Sequence, residues 1–206
     1  MLLNLPNQIT VGRLVLAVAF LIVVNFYDAK RPDDCRWMLD VCTVLFIVAG
    51  LSDILDGYLA RSRNQVTSLG RILDPFVDKV LICGAFAFFA GPHFVDETGR
   101  NVTGVQMWMV VLILGRELLV TGLRGFSEAR GAQFGAGISG KTKMLVQSVT
   151  AVVILMSVAR SGVVFGQSFN DVLRPVMVWL TVAATAFSLL SYLWRARSTL
   201  LEQSGA

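Results

Sequence analysis

Four aspartates stand out because they lie close together in one of the most apolar parts of the chain. Asp53 and Asp56 are three residues apart, and Asp74 and Asp78 are four residues apart. Val, Leu, Ile and Phe residues flank the stretch on both sides. Ionised carboxylates are costly in such surroundings unless a partner offsets their charge. Oxygen ligands suit Mg²⁺, Mn²⁺ or Ca²⁺ far better than zinc. The pattern therefore predicts a site for two divalent ions that would attract a pyrophosphate.

Ion pairs between helices are the alternative explanation for these aspartates. Four basic residues lie near enough in sequence to pair with them: Arg61, Arg63, Arg71 and Lys79. Carboxylates inside a membrane are functional by default, because something must offset their cost. Four of them at these spacings favour the metal site.

The spacing also indicates which elements must position the carboxylates. Residues three or four positions apart share one face of an α-helix. We expect the short connection 61–69 to fold a third helix back beside the second, so that the carboxylates converge. Pro75 would then lie in the first turn of the third helix, where proline is tolerated. Gly57 and Ala60 continue the face of Asp53 and leave room for a ligand, although small residues more often serve helix packing.

Composition places these helices in a membrane. The 206 residues are 55% hydrophobic and 16% charged, whereas about a quarter of the residues in soluble domains are charged. The mean hydropathy is +0.67. We expect a single domain, residues 1–206: an all-α integral membrane protein with six transmembrane helices and a short N-terminal interfacial segment, in which Asn7 or Thr10 caps the first helix. The six apolar runs are residues 9–27, 37–54, 76–89, 105–123, 144–158 and 176–193.

The positive charges predict the orientation. An even number of spans puts both termini on one side, and the 16 Lys and Arg residues at the ends of the spans divide ten to six in favour of that side. The termini and the acid cluster are therefore predicted to face the cytoplasm, with the multi-pass chain in the cell (inner) membrane. Arg13, just inside the first span, would snorkel to the headgroups or point at the acid cluster, and the residue alone favours snorkelling. The basic residues form no stripe, so we expect no nucleic acid partner. The three cysteines indicate neither disulfides nor zinc.

Eight residues in this stretch resemble the full signature of the CDP-alcohol phosphotransferases. They are Asp53, Asp56, Gly57, Ala60, Arg61, Gly70, Asp74 and Asp78. The resemblance implies a membrane enzyme that transfers a phosphatidyl or similar group from a CDP-linked donor to an alcohol and releases CMP. It implies that Asp53, Asp56 and Asp74 hold two divalent metal ions, Mg²⁺ or Mn²⁺, while Asp78 is a further ligand and the general base. It assigns the CDP pocket to Asp56, Gly57, Ala60, Arg61 and Gly70, and it suggests a homodimer.

Basic residues of the fourth and fifth predicted helices indicate where the alcohol binds. These residues are Arg116, Arg124, Lys141 and Lys143. Arg116 could merely pair with Glu117, but together the four would form a cationic pocket for an acceptor that carries a phosphate. Lys141 and Lys143 point to nearly opposite sides of a helix, so we expect only one to face the site, and we favour Lys141. The Gly- and Ala-rich loop 127–140 would pass over the site.

Three further segments resemble one branch of that family, the bacterial phosphatidylglycerophosphate synthases. They read LPNQITVGR, RELLVTGLR and GKTKMLVQ. This resemblance implies CDP-diacylglycerol as donor and glycerol 3-phosphate as acceptor. Met144 and Gly125 depart from the branch, which commonly has a threonine and an acidic residue there. Two alternatives stay open: another CDP-alcohol phosphotransferase (a cardiolipin synthase or an enzyme that uses inositol phosphate), and an ion-coupled transporter, since intramembrane acids also mark ion paths.

Overall fold

The computed structural model describes residues 5–62, 68–129, 138–160 and 167–204. Over these residues the protein is all-helical, as expected, and the only strand-like pairing is one isolated bridge between Val95 and Asn101. The helices are α1 (Leu5–Asn25), α2 (Pro32–Ser62), α3 (Ser68–Phe89), α4 (Met107–Ala129), α5 (Ile138–Ala159) and α6 (Gln167–Ser204), with a 3₁₀ turn at Pro92–Phe94.

Four of these helices contain segments that are long and apolar enough to cross a membrane. The segments are Gln8–Asn25 of α1, Pro32–Asp53 of α2, Gly140–Ala159 of α5 and Val172–Trp194 of α6. Several apolar helices of this length indicate a multi-pass membrane protein. α3 and α4 are also long enough, but they carry the charged residues that the sequence analysis singled out.

Two helices begin earlier than the sequence predicted. α1 begins at Leu5, so residues 5–10 continue the first helix instead of forming a separate interfacial segment, and neither Asn7 nor Thr10 caps it. α3 begins at Ser68, which places Pro75 in the helix interior and not in the first turn. Because proline has no N–H, the helical hydrogen bond to the carbonyl of residue 71 is missing. The helical ladder of α3 is thus interrupted beside the signature aspartates.

The first helix organises the bundle around the acidic stretch. α1 packs along both α2 and α3, and within the described residues α2 and α3 contact each other less than either contacts α1. Ala17, Phe20 and Val24 form a fully buried stripe of α1, at helical spacing. The Phe20 ring packs edge-to-face on Phe46 of α2, with 5.6 Å between centroids. Among the described residues, the two acid-bearing helices are therefore joined mainly through α1, and most of the hairpin expected between them lies outside the described side chains.

The other half of the bundle is held by hydrogen bonds between α5 and α6. Gln147 Nε2 donates to Thr185 Oγ1 at 3.1 Å, and Thr181 Oγ1 donates to Thr150 Oγ1 at 2.8 Å. All four side chains are buried. In lipid, helices gain little from burying apolar surface against each other, so such polar contacts help to fix their pairing. α4 in turn packs against α6, and α5 packs against α2.

An ordered connection between α3 and α4 closes the far end of the bundle. Asn101 Nδ2 and Thr103 Oγ1 both donate to the carbonyl oxygen of Phe89 at 2.8 Å, which satisfies a carbonyl at the end of α3. The ring of Phe94 lies 4.8 Å from that of Tyr27, just beyond α1. Burial raises the pKa of the Tyr27 hydroxyl to about 12, so this group stays neutral at physiological pH. This connection between α3 and α4 fixes α3 relative to α1 at the end of the bundle that lies away from the aspartates.

Candidate active site

Two signature aspartates from different helices meet at one arginine. Asp53 of α2 and Asp78 of α3 both contact Arg13 of α1. Nη1 of Arg13 donates to Oδ1 of Asp53, and Nη2 lies 3.4 Å from Oδ1 of Asp78. The arginine side chain is 1% exposed, whereas each carboxylate is 31% exposed. We call Asp53 and Asp78 the acid pair. The structure brings them together, as the spacing predicted.

The expectation that Arg13 snorkels was wrong. Its side chain points into the bundle because α1 packs against both acid-bearing helices at this level. A buried guanidinium is costly unless charged partners satisfy it, and the acid pair supplies two. The ion-pair explanation of the aspartates is thus correct in part, but among the described side chains the partner comes from α1. Lys79, one of the expected partners, instead donates to Thr121 Oγ1 of α4 at 2.5 Å.

The other signature residues lie outside the described side chains. Their backbones are helical: Asp56, Gly57, Ala60 and Arg61 belong to α2, and Gly70 and Asp74 belong to α3. Asp56 therefore lies about one turn after Asp53, and Asp74 about one turn before Asp78. Most of the loop expected to pass over the site, residues 130–137, also lies outside the described residues.

The acid pair fits a hard divalent cation. Both groups are carboxylates, both are partly open to solvent, and both reach the same guanidinium from different helices. Such oxygen donors are what Mg²⁺ and Mn²⁺ prefer. No group of three or more potential metal ligands occurs among the described side chains, a set that excludes Asp56 and Asp74. The described part of the signature therefore supplies two of the four expected ligands.

A second group of charges lies between α4 and α5. In this group cations outnumber carboxylates, whereas in the first group carboxylates outnumber cations. Arg116 Nη1 and Lys143 Nζ both donate to Oε1 of Glu117, at 2.8 Å and 2.5 Å. Both cations are buried. We call Arg116, Glu117 and Lys143 the basic cluster. Since one carboxylate serves two cations, the cluster keeps one positive charge in excess. Arg116 does pair with Glu117, but that pairing leaves the surplus in place.

The last helix completes the surroundings of Arg116. Nη2 of Arg116 donates to Ser188 Oγ at 2.7 Å, and its guanidinium carbon lies 5.2 Å from the centre of the Tyr192 ring. A side chain at Gly140 would begin 3.2 Å from the Tyr192 hydroxyl and 3.5 Å from Arg116 Nη2. Glycine at this position therefore lets the start of α5 approach both groups. Neither Ser188 nor Tyr192 was expected here from the sequence.

A signal for those two residues was present in the sequence. Buried polar side chains recur along α6 at spacings of four, three and four residues: Thr181, Thr185, Ser188 and Tyr192. This is the period of one helix face. A polar face inside an apolar helix predicts a polar partner within the bundle, and the structure supplies it as α5 and Arg116.

The structure turns Lys143 inward, beside Glu117 and Arg116, and Lys141 outward, so we now favour Lys143 over Lys141 as the residue that faces the site. Lys143 is buried, whereas Lys141 is exposed. The reason is register: Lys143 shares a face with Gln147 and Thr150, which α5 presents to α6. Arg124, also expected in the pocket, is half-buried, and its Nε has no hydrogen-bond partner among the described residues.

Lys79 and Thr121 connect the two charged groups. Lys79 directly follows Asp78 on α3, and its hydrogen bond to Thr121 reaches α4. The hydroxyl of Thr121 in turn donates to the backbone carbonyl of Glu117 at 2.7 Å. A chain of two hydrogen bonds therefore runs from the residue beside the acid pair to a residue of the basic cluster.

Comparison with known proteins shows to which family the chain belongs. The profile of the CDP-alcohol phosphatidyltransferases matches residues 3–190, which include the acid pair and the basic cluster. The chain belongs to the CDP-alcohol phosphatidyltransferase family. Among similar CDP-alcohol phosphatidyltransferases, the CDP-diacylglycerol–glycerol-3-phosphate 3-phosphatidyltransferase of Bacillus subtilis (strain 168) is 31% identical, over 95% of this chain and 98% of the relative.

Two further CDP-alcohol phosphatidyltransferases with the same name show a similar likeness. The one from Rickettsia bellii (strain RML369-C) is 30% identical over 92% of this chain and 93% of its own length. The one from Yersinia pestis (strain Pestoides F) is 29% identical over 98% of this chain and 100% of its own length. The likeness therefore extends over almost the whole of each chain.

Proposed function

We propose that this protein transfers a phosphatidyl group from CDP-diacylglycerol to glycerol 3-phosphate, giving phosphatidylglycerophosphate and CMP. The observation that carries the proposal is the presence of two opposite charge surpluses in one bundle, carboxylates on α2 and α3 and cations on α4 and α5. The first suits metal ions that bind a pyrophosphate, and the second suits an acceptor that carries a phosphate. The relatives' names specify this donor and this acceptor.

The donor half of the site consists of the signature residues. Asp53, Asp56, Asp74 and Asp78 hold two divalent ions, Mg²⁺ or Mn²⁺. When bound, such ions neutralise the pyrophosphate and stabilise the departing CMP. The CDP moiety lies against Asp56, Gly57, Ala60, Arg61 and Gly70.

Asp78 serves as the general base in this proposal. The hydroxyl oxygen of the acceptor attacks the β-phosphorus and forms the new P–O bond. The bond from that phosphorus to the bridging oxygen breaks, and CMP departs with its electron pair. The hydroxyl proton passes to the carboxylate of Asp78. Because this side chain is partly exposed, the proton can then leave to water.

The acceptor phosphate binds at the basic cluster, on Arg116 and Lys143, with Arg124 as a further donor and Lys143 taking the place that we first gave to Lys141. Charge-assisted hydrogen bonds of this kind are the strongest that a phosphate can receive. The Nε atoms of Arg116 and Arg124 are buried and have no hydrogen-bond partner among the described residues. These two donors support an anion as the missing partner.

The proposal includes the placement of the protein in the membrane. The six helices form one domain of six spans in the cell (inner) membrane, with the active site and both termini facing the cytoplasm. The chain acts as a homodimer. The excess of positive charge at the ends that would share a side with the N-terminus supports this orientation.

An acceptor assay on the purified protein tests the reaction. CMP release from CDP-diacylglycerol is measured with Mg²⁺ or Mn²⁺ and with one acceptor at a time: glycerol 3-phosphate, phosphatidylglycerol or inositol phosphate. We expect release with glycerol 3-phosphate alone. Release with another acceptor would move the protein to another branch of the family, and no release with any of them would contradict transferase activity.

A further inference from the structure

Arg13 is a charged residue outside the signature that touches two of its aspartates. It lies on α1, within the apolar segment Gln8–Asn25, and its side chain is 1% exposed. A charged group at such a place is expensive and marks function by default. The first helix contributes nothing to the aspartate signature, yet it places a guanidinium between the signature's first and last carboxylates.

The geometry of the contact indicates more than charge neutralisation. One ion pair would need a single aspartate, but Arg13 uses one terminal nitrogen for Asp53 and the other for Asp78. The two terminal nitrogens of a guanidinium are held in a rigid planar fork. The fork therefore sets the separation of two carboxylates that would otherwise repel each other. Since among the described residues α2 and α3 contact α1 more than each other, α1 is an element through which this separation can be fixed.

We infer that Arg13 is a positioning residue for the metal site, an inference that rests on the proposed function. A carboxylate has two oxygens, so it can accept from the guanidinium with one and bind an ion with the other. Oδ1 of each aspartate contacts Arg13. Groups that hydrogen-bond to metal ligands orient them, and their loss costs about 10- to 100-fold in metal affinity or activity.

Direct metal binding tests the inference without relying on turnover. Binding of Mn²⁺ to the purified full-length chain in detergent, without either substrate, is measured by electron paramagnetic resonance. Arg13→Gln removes the fork and is expected to weaken binding about 10- to 100-fold. Arg13→Lys keeps the charge but cannot hold two carboxylates in a fixed fork, so we expect an intermediate loss.

The matched control is Arg160→Gln. Arg160 also links two helices, because its Nε lies 3.3 Å from Oδ1 of Asp40 on α2, but both side chains are about half exposed. This variant should bind Mn²⁺ as the unaltered chain does. In a turnover assay, Arg13→Gln should regain activity as Mn²⁺ is raised, because its defect is in metal binding.

The outcomes separate this inference from the proposed function. If Arg13→Gln binds Mn²⁺ with unchanged affinity, the inference is overturned. If it binds Mn²⁺ more tightly, the inference is also overturned, because the guanidinium then competes with the metal for the carboxylates. If Arg13→Gln does not fold, Arg13→Lys decides, and equal affinity in that variant overturns the inference. If the unaltered chain binds no Mn²⁺, the metal site itself is overturned, and the role of Arg13 with it. The same follows if the Asp53→Asn variant binds Mn²⁺ as well as the unaltered chain does.

Discussion

The acid pair and the basic cluster are built on the same plan with opposite signs. In the first, one buried cation lies between two carboxylates, and in the second, one carboxylate lies between two buried cations. The difference is access. The carboxylates of the acid pair are 31% exposed, whereas Arg116 and Lys143 are 6% and 5% exposed, with Ser188 and Tyr192 of α6 against Arg116. In each group the central counterion reduces the cost of burying like charges without cancelling their excess.

This comparison suggests different tasks for the two groups. An open pair of carboxylates can exchange its ligands with water, as a site for metal ions and a proton must. A closed group of cations holds one kind of anion and rejects others, because its donors are already arranged by neighbours. The variants below separate chemistry at the acid pair from recognition at the basic cluster.

The largest effect is expected at the acid pair. Asp78→Asn removes the group that takes the proton but keeps the shape of the side chain. We expect turnover to fall by about 10²- to 10⁴-fold, the usual contribution of a general base, while binding of CDP-diacylglycerol largely persists. Rate and donor binding are measured separately. Asp40→Asn is the control, because Asp40 pairs with Arg160 and lies 13 residues before Asp53 along α2. Substantial remaining turnover in Asp78→Asn would exclude this residue as the base.

Glu117→Gln tests whether the central carboxylate stabilises the basic cluster. It leaves Arg116 and Lys143 buried without their shared anion, and breaking a buried ion pair from one side costs about 3 to 5 kcal/mol. The melting temperature should therefore fall, and glycerol 3-phosphate should restore part of the loss by supplying an anion. Glu97→Gln, in the exposed connection after α3, is the matched control. A variant as stable as the unaltered chain would mean that Glu117 is not a required counterion.

Lys143→Ala tests recognition of the acceptor. Loss of a hydrogen bond from a charged group costs about 1.5 to 3 kcal/mol, which corresponds to a rise of about 10- to 100-fold in the KM for glycerol 3-phosphate. The KM for CDP-diacylglycerol should change little, and Arg116→Ala should behave likewise. Lys141→Ala provides a close control, because Lys141 lies two residues away on the same helix but is exposed. Equal effects on both substrates would remove the acceptor site from this cluster.

The smallest effect is expected at Tyr192. Its ring lies under the guanidinium of Arg116, a contact worth about 0.5 to 2 kcal/mol. Tyr192→Phe keeps the ring and Tyr192→Leu removes it, so only the leucine variant should raise the KM for glycerol 3-phosphate, by about 2- to 30-fold. If the two variants have the same KM, the contact with the ring contributes nothing to recognition.

The sequence predicted the parts of this protein that depend on local pattern. Six helices followed from six apolar runs, and the meeting of Asp53 and Asp78 followed from helical spacing and a short connection. The predictions that failed were those that depend on how the helices pack against one another. Arg13 looked like a snorkelling residue because nothing local indicates that α1 joins α2 to α3. Lys141 was preferred to Lys143 because the face that α5 presents to α6 depends on the partner. Ser188 was missed, although the spacing of polar residues along α6 indicates the polar face on which it lies.

The burial of Arg13 has a consequence for how the chain is made. An arginine in the middle of a membrane-spanning helix costs about 2.5 to 3.5 kcal/mol at insertion, and less towards the helix end. Asp53 follows Arg13 by 40 residues, and Asp78 follows only after the next helix has begun. Until α2 and α3 have been synthesised, Arg13 lacks the two carboxylates that it contacts in the folded chain. The acid pair can therefore form only after the start of α3 has been made, and we expect a chain truncated before α3 to leave Arg13 with only one of these two aspartates, Asp53.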